Sequence, residues 1–309
     1  MSIFAVMYYL IYGLLYLFSL LPMVVLYRFS DLAYFFICHV FGYRKKVVMS
    51  NLDIAFPEKS VTEKKKIARK FYRNFTDTFI ESIKLLSISD KAFHRMVIFD
   101  PELVLALAKK GKSIQFHAGH QFNWELANWL IAETLPIPFI GVYMRINNKV
   151  FDRIFYGLRS KKGTVLVPVH EFRNRVHQLF NEQYSLGLAA DQNPGVPAQA
   201  YWLHFFNRAA PFVTGPDKGA IKNDTAVVMV KLKKIKRGRY KFETELLVEN
   251  GSELKPGELT LLYRDKLEQT IREQPDNYLW SHRRWKWAYQ PEYEKRWIDK
   301  NPPLVNNVN

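Results

Sequence analysis

An α/β domain with a mixed, largely parallel sheet flanked by helices, carried behind an amino-terminal membrane helix, is the fold class this sequence predicts. Three observations predict it. From about residue 96 short apolar runs alternate with amphipathic stretches, the pattern of strands buried between layers of helix. Residues 3–27 contain no charged side chain, enough to cross a bilayer core that needs about 20 helical residues. Polar and titratable residues then recur where the strands end, the place where open α/β sheets collect their ligands.

The uncharged segment comes first. Six aromatics precede Pro22 (Phe4, Tyr8, Tyr9, Tyr12, Tyr16 and Phe18), giving the helix an interfacial character, and Pro22 is expected to kink or end its regular part. A secretory signal peptide fits less well, because no Lys or Arg opens the chain and no small-residue cleavage site follows. The next apolar run, Leu32 to Phe41, is too short to span and reads as a re-entrant or interfacial helix. Positive charge begins at Arg28 and grows at Arg44, Lys45 and Lys46, which is expected to place the body of the protein on the cytoplasmic side of the membrane. Residues 1–42 are thus an anchor.

Residues 43–95 read as a basic amphipathic helical segment. Between Arg44 and Arg73 there are ten Lys/Arg and three acids, suited to anionic head groups, an acidic carrier protein or nucleic acid. The high aromatic content, 15% with seven Trp, favours a membrane-facing protein over a nucleic-acid binder. Ser60 and Glu63 form a capping-box pattern, and Ile67, Phe71, Phe75, Phe79, Ile83 and Leu86 fall on one face of the helix that follows. Lys66, Arg69, Lys70 and Arg73 fall on the other.

The α/β domain occupies residues 96–301, followed by a frayed end over 302–309. Strands are expected over 113–117, 138–143, 164–168, 185–191, 225–234 and 240–248. Helices are expected over 101–109, 123–135, 148–159, 171–183 and 258–273. A hairpin around Gly238 adds antiparallel character. The single cysteine, Cys38, excludes an internal disulfide framework.

Chemistry concentrates around His120. A short strand precedes it and a helix bearing Glu125 in its first turn follows, so a change of chain direction can bring imidazole and carboxylate together. The same spacing at His177 and Glu182 falls within an expected continuous helix, where five residues turn about 500° and leave the side chains about 140° apart. A carboxylate that accepts one imidazole N–H fixes the tautomer and leaves the other nitrogen as a base toward a hydroxyl. No G-x-S-x-G occurs and the cysteine lies in the anchor, so direct transfer fits better than a covalent intermediate. The oxyanion would need backbone N–H groups between Gly119 and Asn123, or a cation. His117 with His120 and Glu125 can be read as a metal set, a weak reading because a strand-borne His117 can face away. Arg145 and Arg159 can clamp an anion or form surface ion pairs. Asp191 can hold Arg145, hold a substrate hydroxyl or cap a loop. The aromatic-rich stretches 201–206 and 278–287 are candidates for loops lining an apolar groove, Phe205 and Phe206 equally for core.

Several segments, taken in order, carry a resemblance. They are VVMSNLDIAFPE from Val47 to Glu58, HQFNWE from His120 to Glu125, Arg145 and Arg159, the pairs Asp191-Gln192, Phe205-Phe206 and Thr214-Gly215, and PDNYLWSHRRWK from Pro275 to Lys286. Together they resemble the blocks of the bacterial lipid A biosynthesis acyltransferases, the late (secondary) lauroyl and myristoyl transferases of the lysophospholipid acyltransferase superfamily. The resemblance implies a glycerolphosphate-acyltransferase-like fold. It implies transfer of a fatty acyl chain from acyl carrier protein to a hydroxyl of an acylated, phosphorylated glucosamine disaccharide; apart from the resemblance, no metal or other cofactor and no nucleic-acid partner is expected. His120 would be the base and Glu125 its orienting partner. Arg145 and Arg159 would bind the anionic acceptor, with Asn123, Asp191 and Gln192 also at the substrate. Phe122 departs from the pattern, standing where the family has glycine. Other readings are the same transfer to an aminolipid, a glycolipid or a lysophospholipid, an acyl-ester hydrolase, and a non-catalytic membrane protein.

Overall fold

The computed structural model describes residues 3–303, so most of the end expected to fray lies outside the described residues. Pro22 divides the uncharged segment into α1 (Ile3–Leu20) and α2 (Met23–Phe35), with its own backbone extended at ψ 145°, because its ring bars the preceding residue from helical geometry. Helix α2 passes directly into a π-helical turn, Phe36–Val40. The apolar run at 32–41 is therefore not a separate interfacial element. It completes a second helix, Met23–Val40, that is long and apolar enough to cross a membrane, as α1 is. Asp31, which breaks the apolar pattern in the sequence, is paired with Arg237 at 2.8 Å.

Helix α3 (Lys45–Ala55) leads to α4 (Val61–Lys84), which starts at a complete capping box between Ser60 and Glu63. Lys66, Arg69, Lys70 and Arg73 are exposed as expected, but of the apolar stripe only Phe71 is fully buried; Ile67, Phe75, Ile83 and Leu86 are partly buried and Phe79 is 46% exposed. The second half of α4 hides carboxylates as well. Asp77 lies under Lys234 (2.9 Å) and Arg237 (2.6 Å), and Glu81 accepts hydrogen bonds from Tyr27, Asn123 and Tyr240. A buried carboxylate is tolerable only with such partners.

The α/β body continues as α5 (Asp90–Met96), β1 (Val97–Phe99), α6 (Glu102–Lys109), β2 (Ile114–Ala118), α7 (Trp124–Thr134), β3 (Phe139–Tyr143), α8 (Lys149–Ser160), β4 (Val165–Pro168), α9 (Val169–Leu179) and β5 (Ser185–Ala189). After it come β6 (Tyr201–Phe205), β7 (Arg208–Phe212), α10 (Gly215–Asn223), β8 (Ala226–Lys236), β9 (Arg239–Val248) and α11 (Glu258–Glu273). Seven strands form one sheet in the order β1-β9-β8-β2-β5-β3-β4. Every neighbouring pair is parallel except β8–β9, the expected hairpin. Helix α9 stops at Leu179, so Glu182 lies beyond it rather than in the continuous helix expected.

One expectation fails clearly. Residues 201–206 are not a groove-lining loop. They form β6, which pairs with β7 in a separate ribbon, with Trp202, Leu203 and Phe205 fully buried. One face, Tyr201, Leu203 and Phe205, joins a core shared with Val48 and Leu52 of α3, Phe71 of α4 and Trp280, and the other packs Trp202 on Tyr289 and Tyr293 and His204 on Trp297. Tyr278, Trp280 and Trp285 of the other aromatic stretch are buried in the same core.

Candidate active site

His120 sits two residues past the end of β2, and Asp191 two residues past the end of β5. Strands β2 and β5 are parallel neighbours with Ala118 opposite Ala189, so equal overshoot from paired ends brings the two side chains together. Asp191 Oδ1 lies 2.5 Å from His120 Nδ1, and its Oδ2 accepts the His120 backbone N–H at 3.0 Å. The loop is fixed from other sides. Leu279 N–H donates to the His120 carbonyl, and Gln121 bridges to Tyr278. At Gly119 a Cβ atom would stand 2.4 Å from Leu267 Cδ1 of α11, so the absence of a side chain permits that close approach.

The electrostatics follow from this geometry. Burial by itself would depress the His120 pKa, but the charge and hydrogen bond of Asp191 outweigh it and hold it above the ordinary 6.5. Burial pushes the Asp191 pKa up, yet the His120 charge and hydrogen bonds from the His120 ring, its backbone and Tyr278 bring it down to about 2. Asp191 is 1% exposed while the His120 ring keeps 26% of its surface. Nδ1 is held by the carboxylate, and Nε2 is the ring nitrogen turned away from it. Trp124 lies edge-on to the imidazole at 6.3 Å.

Glu125 does not make the expected contact. Its carboxylate accepts Nε and Nη2 of Arg159 at 2.6–3.0 Å and the Trp124 indole N–H at 3.1 Å. Among the described residues it has no hydrogen bond to His120. The physical reason is that α7 presents its first turn, and α8 its last, on the same side, so a carboxylate meets a guanidinium in a bidentate pair. Arg159, expected at the acceptor, is thereby occupied. Arg145 is on the surface in an ion pair with Glu171 at 2.7 Å.

Asn123, expected to touch substrate, is fully buried. It donates to Glu81 and accepts the Glu125 backbone N–H, capping α7. Gln192 is half-buried beside Asp191. Phe122 points into the core rather than the loop mouth, against Phe71, Phe75 and Trp124; the peptide bond to Asn123 is cis. His117 is buried facing Gln115 and Tyr263, its pKa lowered to about 3 by burial. Among the described residues no group of three His, Cys, Asp or Glu is placed to hold a metal.

Sequence reasoning assigned Asp191 to substrate and missed it as the partner of His120. The signal that locates it, adjacency of β2 and β5, is a property of the sheet order and not of any local run of residues.

A histidine ring paired with a buried carboxylate thus lies at the carboxyl edge of a largely parallel sheet, where open α/β sheets collect their ligands. The profile of the bacterial lipid A biosynthesis acyltransferases matches residues 2–287. The chain belongs to that family, and its reaction is an acyl transfer. No individually curated protein matches it significantly.

Proposed function

We propose that this protein moves a fatty acyl chain from acyl carrier protein to a hydroxyl of a lipid A precursor, with His120 as general base and Asp191 as its orienting partner. The observation that carries the reading is the contact between His120 Nδ1 and Asp191 at 2.5 Å. Nε2 takes the hydroxyl proton as the oxygen attacks the thioester carbonyl. The tetrahedral intermediate then collapses, the C–S bond breaks, and the imidazolium returns its proton to the departing thiolate. Asp191 stabilises the imidazolium that forms between these steps without taking its proton. Glu125 and Arg159 act on the catalytic loop indirectly, by locking α7 against α8. No metal or other cofactor enters the scheme.

Placement supports the pairing of substrates. The two apolar helices suit anchoring in the inner membrane, and the basic run after them suits a cytoplasmic body. The exposed face of α4 with Lys66, Arg69, Lys70 and Arg73 suits an acidic carrier protein docking from solution. Purified His120→Ala protein in a transfer assay, with mass spectrometry of lipid A from cells with and without the gene, tests the reading. Loss of one acyl chain from lipid A is the expected result. An unaltered lipid A with another lipid class missing would move the acceptor to that class.

A further inference from the structure

Beside the catalytic pair lies a groove of about 970 Å³ whose walls carry Arg44, Lys45, Lys46, Arg283 and Lys286 and no carboxylate. All five side chains are exposed. None has an Asp or Glu within ion-pair distance among the described residues, in contrast to Arg145 and Arg159. Five adjacent cations with no counter-ion repel one another, and an anion with several acceptor oxygens relieves that repulsion. The walls are tied together as well as charged. Arg44 donates to the Ser281 carbonyl at 2.9 Å, and Asn51 of α3 donates to the carbonyls of Trp280 and His282. The groove therefore exists before any ligand arrives.

Its position narrows the ligand. One wall begins at Gly42, directly after Phe36, Val40 and Phe41, which are 42%, 55% and 75% exposed at the end of the second apolar helix. Lysines and arginines just past such a helix end stand at the depth of lipid head groups. The opposite wall reaches the catalytic pair through Asn193, two residues after Asp191, and through His282, whose Nε2 accepts the Asn193 N–H at 3.2 Å. A head group with its anion on these cations would lie on the side of the groove that Asn193 and His282 share with the His120–Asp191 pair.

We propose that this groove binds the phosphate of a membrane-lipid head group and is the anion subsite for the acceptor, in place of Arg145 and Arg159. The proposal rests on the acyl-transfer reading for its acceptor role, but the binding can be measured without catalysis. Full-length protein in detergent is titrated with dihexanoyl phosphatidic acid, with dihexanoyl phosphatidylcholine and with inorganic phosphate, as wild type, His120→Ala and the double variant Arg283→Gln/Lys286→Gln. Phosphatidic acid should bind wild type and His120→Ala alike, and the double variant about tenfold more weakly, for the loss of two charge-assisted contacts. In the transfer assay the double variant should raise KM for the phosphorylated acceptor by about tenfold, with a smaller fall in kcat and no change in KM for the carrier. Equal binding by wild type and double variant would overturn the site. So would phosphatidylcholine binding as tightly as phosphatidic acid, or a KM defect confined to the carrier. Inorganic phosphate binding as tightly as the lipid would overturn the head-group assignment. Should His120→Ala keep full transfer while the double variant loses phosphatidic acid, the catalytic reading falls and the groove stands.

Discussion

Replacing Asp191 by asparagine isolates the proposed catalytic contact, because the side chain keeps its size and the buried site keeps its shape. Wild-type Asp191 only accepts, so His120 must carry its proton on Nδ1 and present a bare Nε2. The amide of the replacement can donate to Nδ1, which moves the proton to Nε2 and leaves no base facing the substrate. The imidazolium that forms during transfer also loses its counter-charge in a site where the carboxylate is 1% exposed. General-base assistance contributes about 10²–10⁴-fold, and the corresponding swap in Ser-His-Asp triads costs about 10⁴-fold. We expect a loss in that range, about 2.7–5.5 kcal/mol of barrier.

Single-turnover transfer measured against pH reads both parts of this effect. A general base must be neutral, so the wild-type rate should rise with pH through an apparent pKa above 6.5, the direction in which Asp191 moves His120. With only burial left acting on the ring, the variant's limb should fall below 6.5. An unchanged rate and an unchanged limb in folded Asp191→Asn protein would refute the assignment of Asp191.

Stability should follow the same pair. The raised His120 pKa adds stability that is fully present below 6.5 and is lost as pH rises through its folded value. The depressed Asp191 pKa adds stability present above 3.8 and lost as pH falls toward about 2. The gap in Tm between wild type and Asp191→Asn should therefore be widest between these limits, at about pH 4 to 6.5, and a gap widening above about pH 8 would contradict the linkage. His120→Ala should lose at least about 10²-fold in turnover and should also lower Tm, because it leaves the buried Asp191 carboxylate without its partner; full activity in the folded protein would end the mechanism. Glu125→Gln should cost about 3 kcal/mol of stability by leaving the Arg159 guanidinium unpaired, and Glu125→Leu/Arg159→Met should recover most of it, as measured by denaturant midpoint. A Glu125→Gln protein of normal stability whose pH limb moves would instead restore Glu125 as the partner of His120. Asp77→Asn should cost about 3–5 kcal/mol by the same measurement, because Lys234 and Arg237 both close on that carboxylate.

Two kinds of information separate when sequence and structure are set side by side. Strands β2 to β5 and the start of β8 were legible as short apolar runs, β9 by its alternation of apolar and polar residues beside the Gly238 turn, and α4 by its local capping box. The ribbon β6–β7 was not, since a run of aromatics reads equally as a lipid-lining loop and as a strand packed on both faces. Charges inside apolar context misled in the same way. The run at 32–41 read as too short to span because it was counted from after Asp31, and the partner that lets this charge sit in a continuous helix, Arg237, lies some two hundred positions later.

The pairing of His120 with Asp191 shows that the gap has a physical cause. Spacing along the chain brings His120 and Glu125 to the same loop, and nothing in the chain says whether Arg159 will reach Glu125 first. A guanidinium offers a carboxylate two charged donors in a fork, and a neutral imidazole offers one N–H. Given both within reach, the carboxylate takes the guanidinium. His120 is then left to whatever lies across the sheet, which the parallel register of β2 and β5 makes Asp191. The conservative replacement Arg159→Gln makes this competition testable. With the stronger donor gone, Glu125 should become available to the imidazole. A change in the pH limb of that variant, at unchanged Asp191, would show the two carboxylates competing for one ring; no change would show that the loop holds Glu125 beyond its reach.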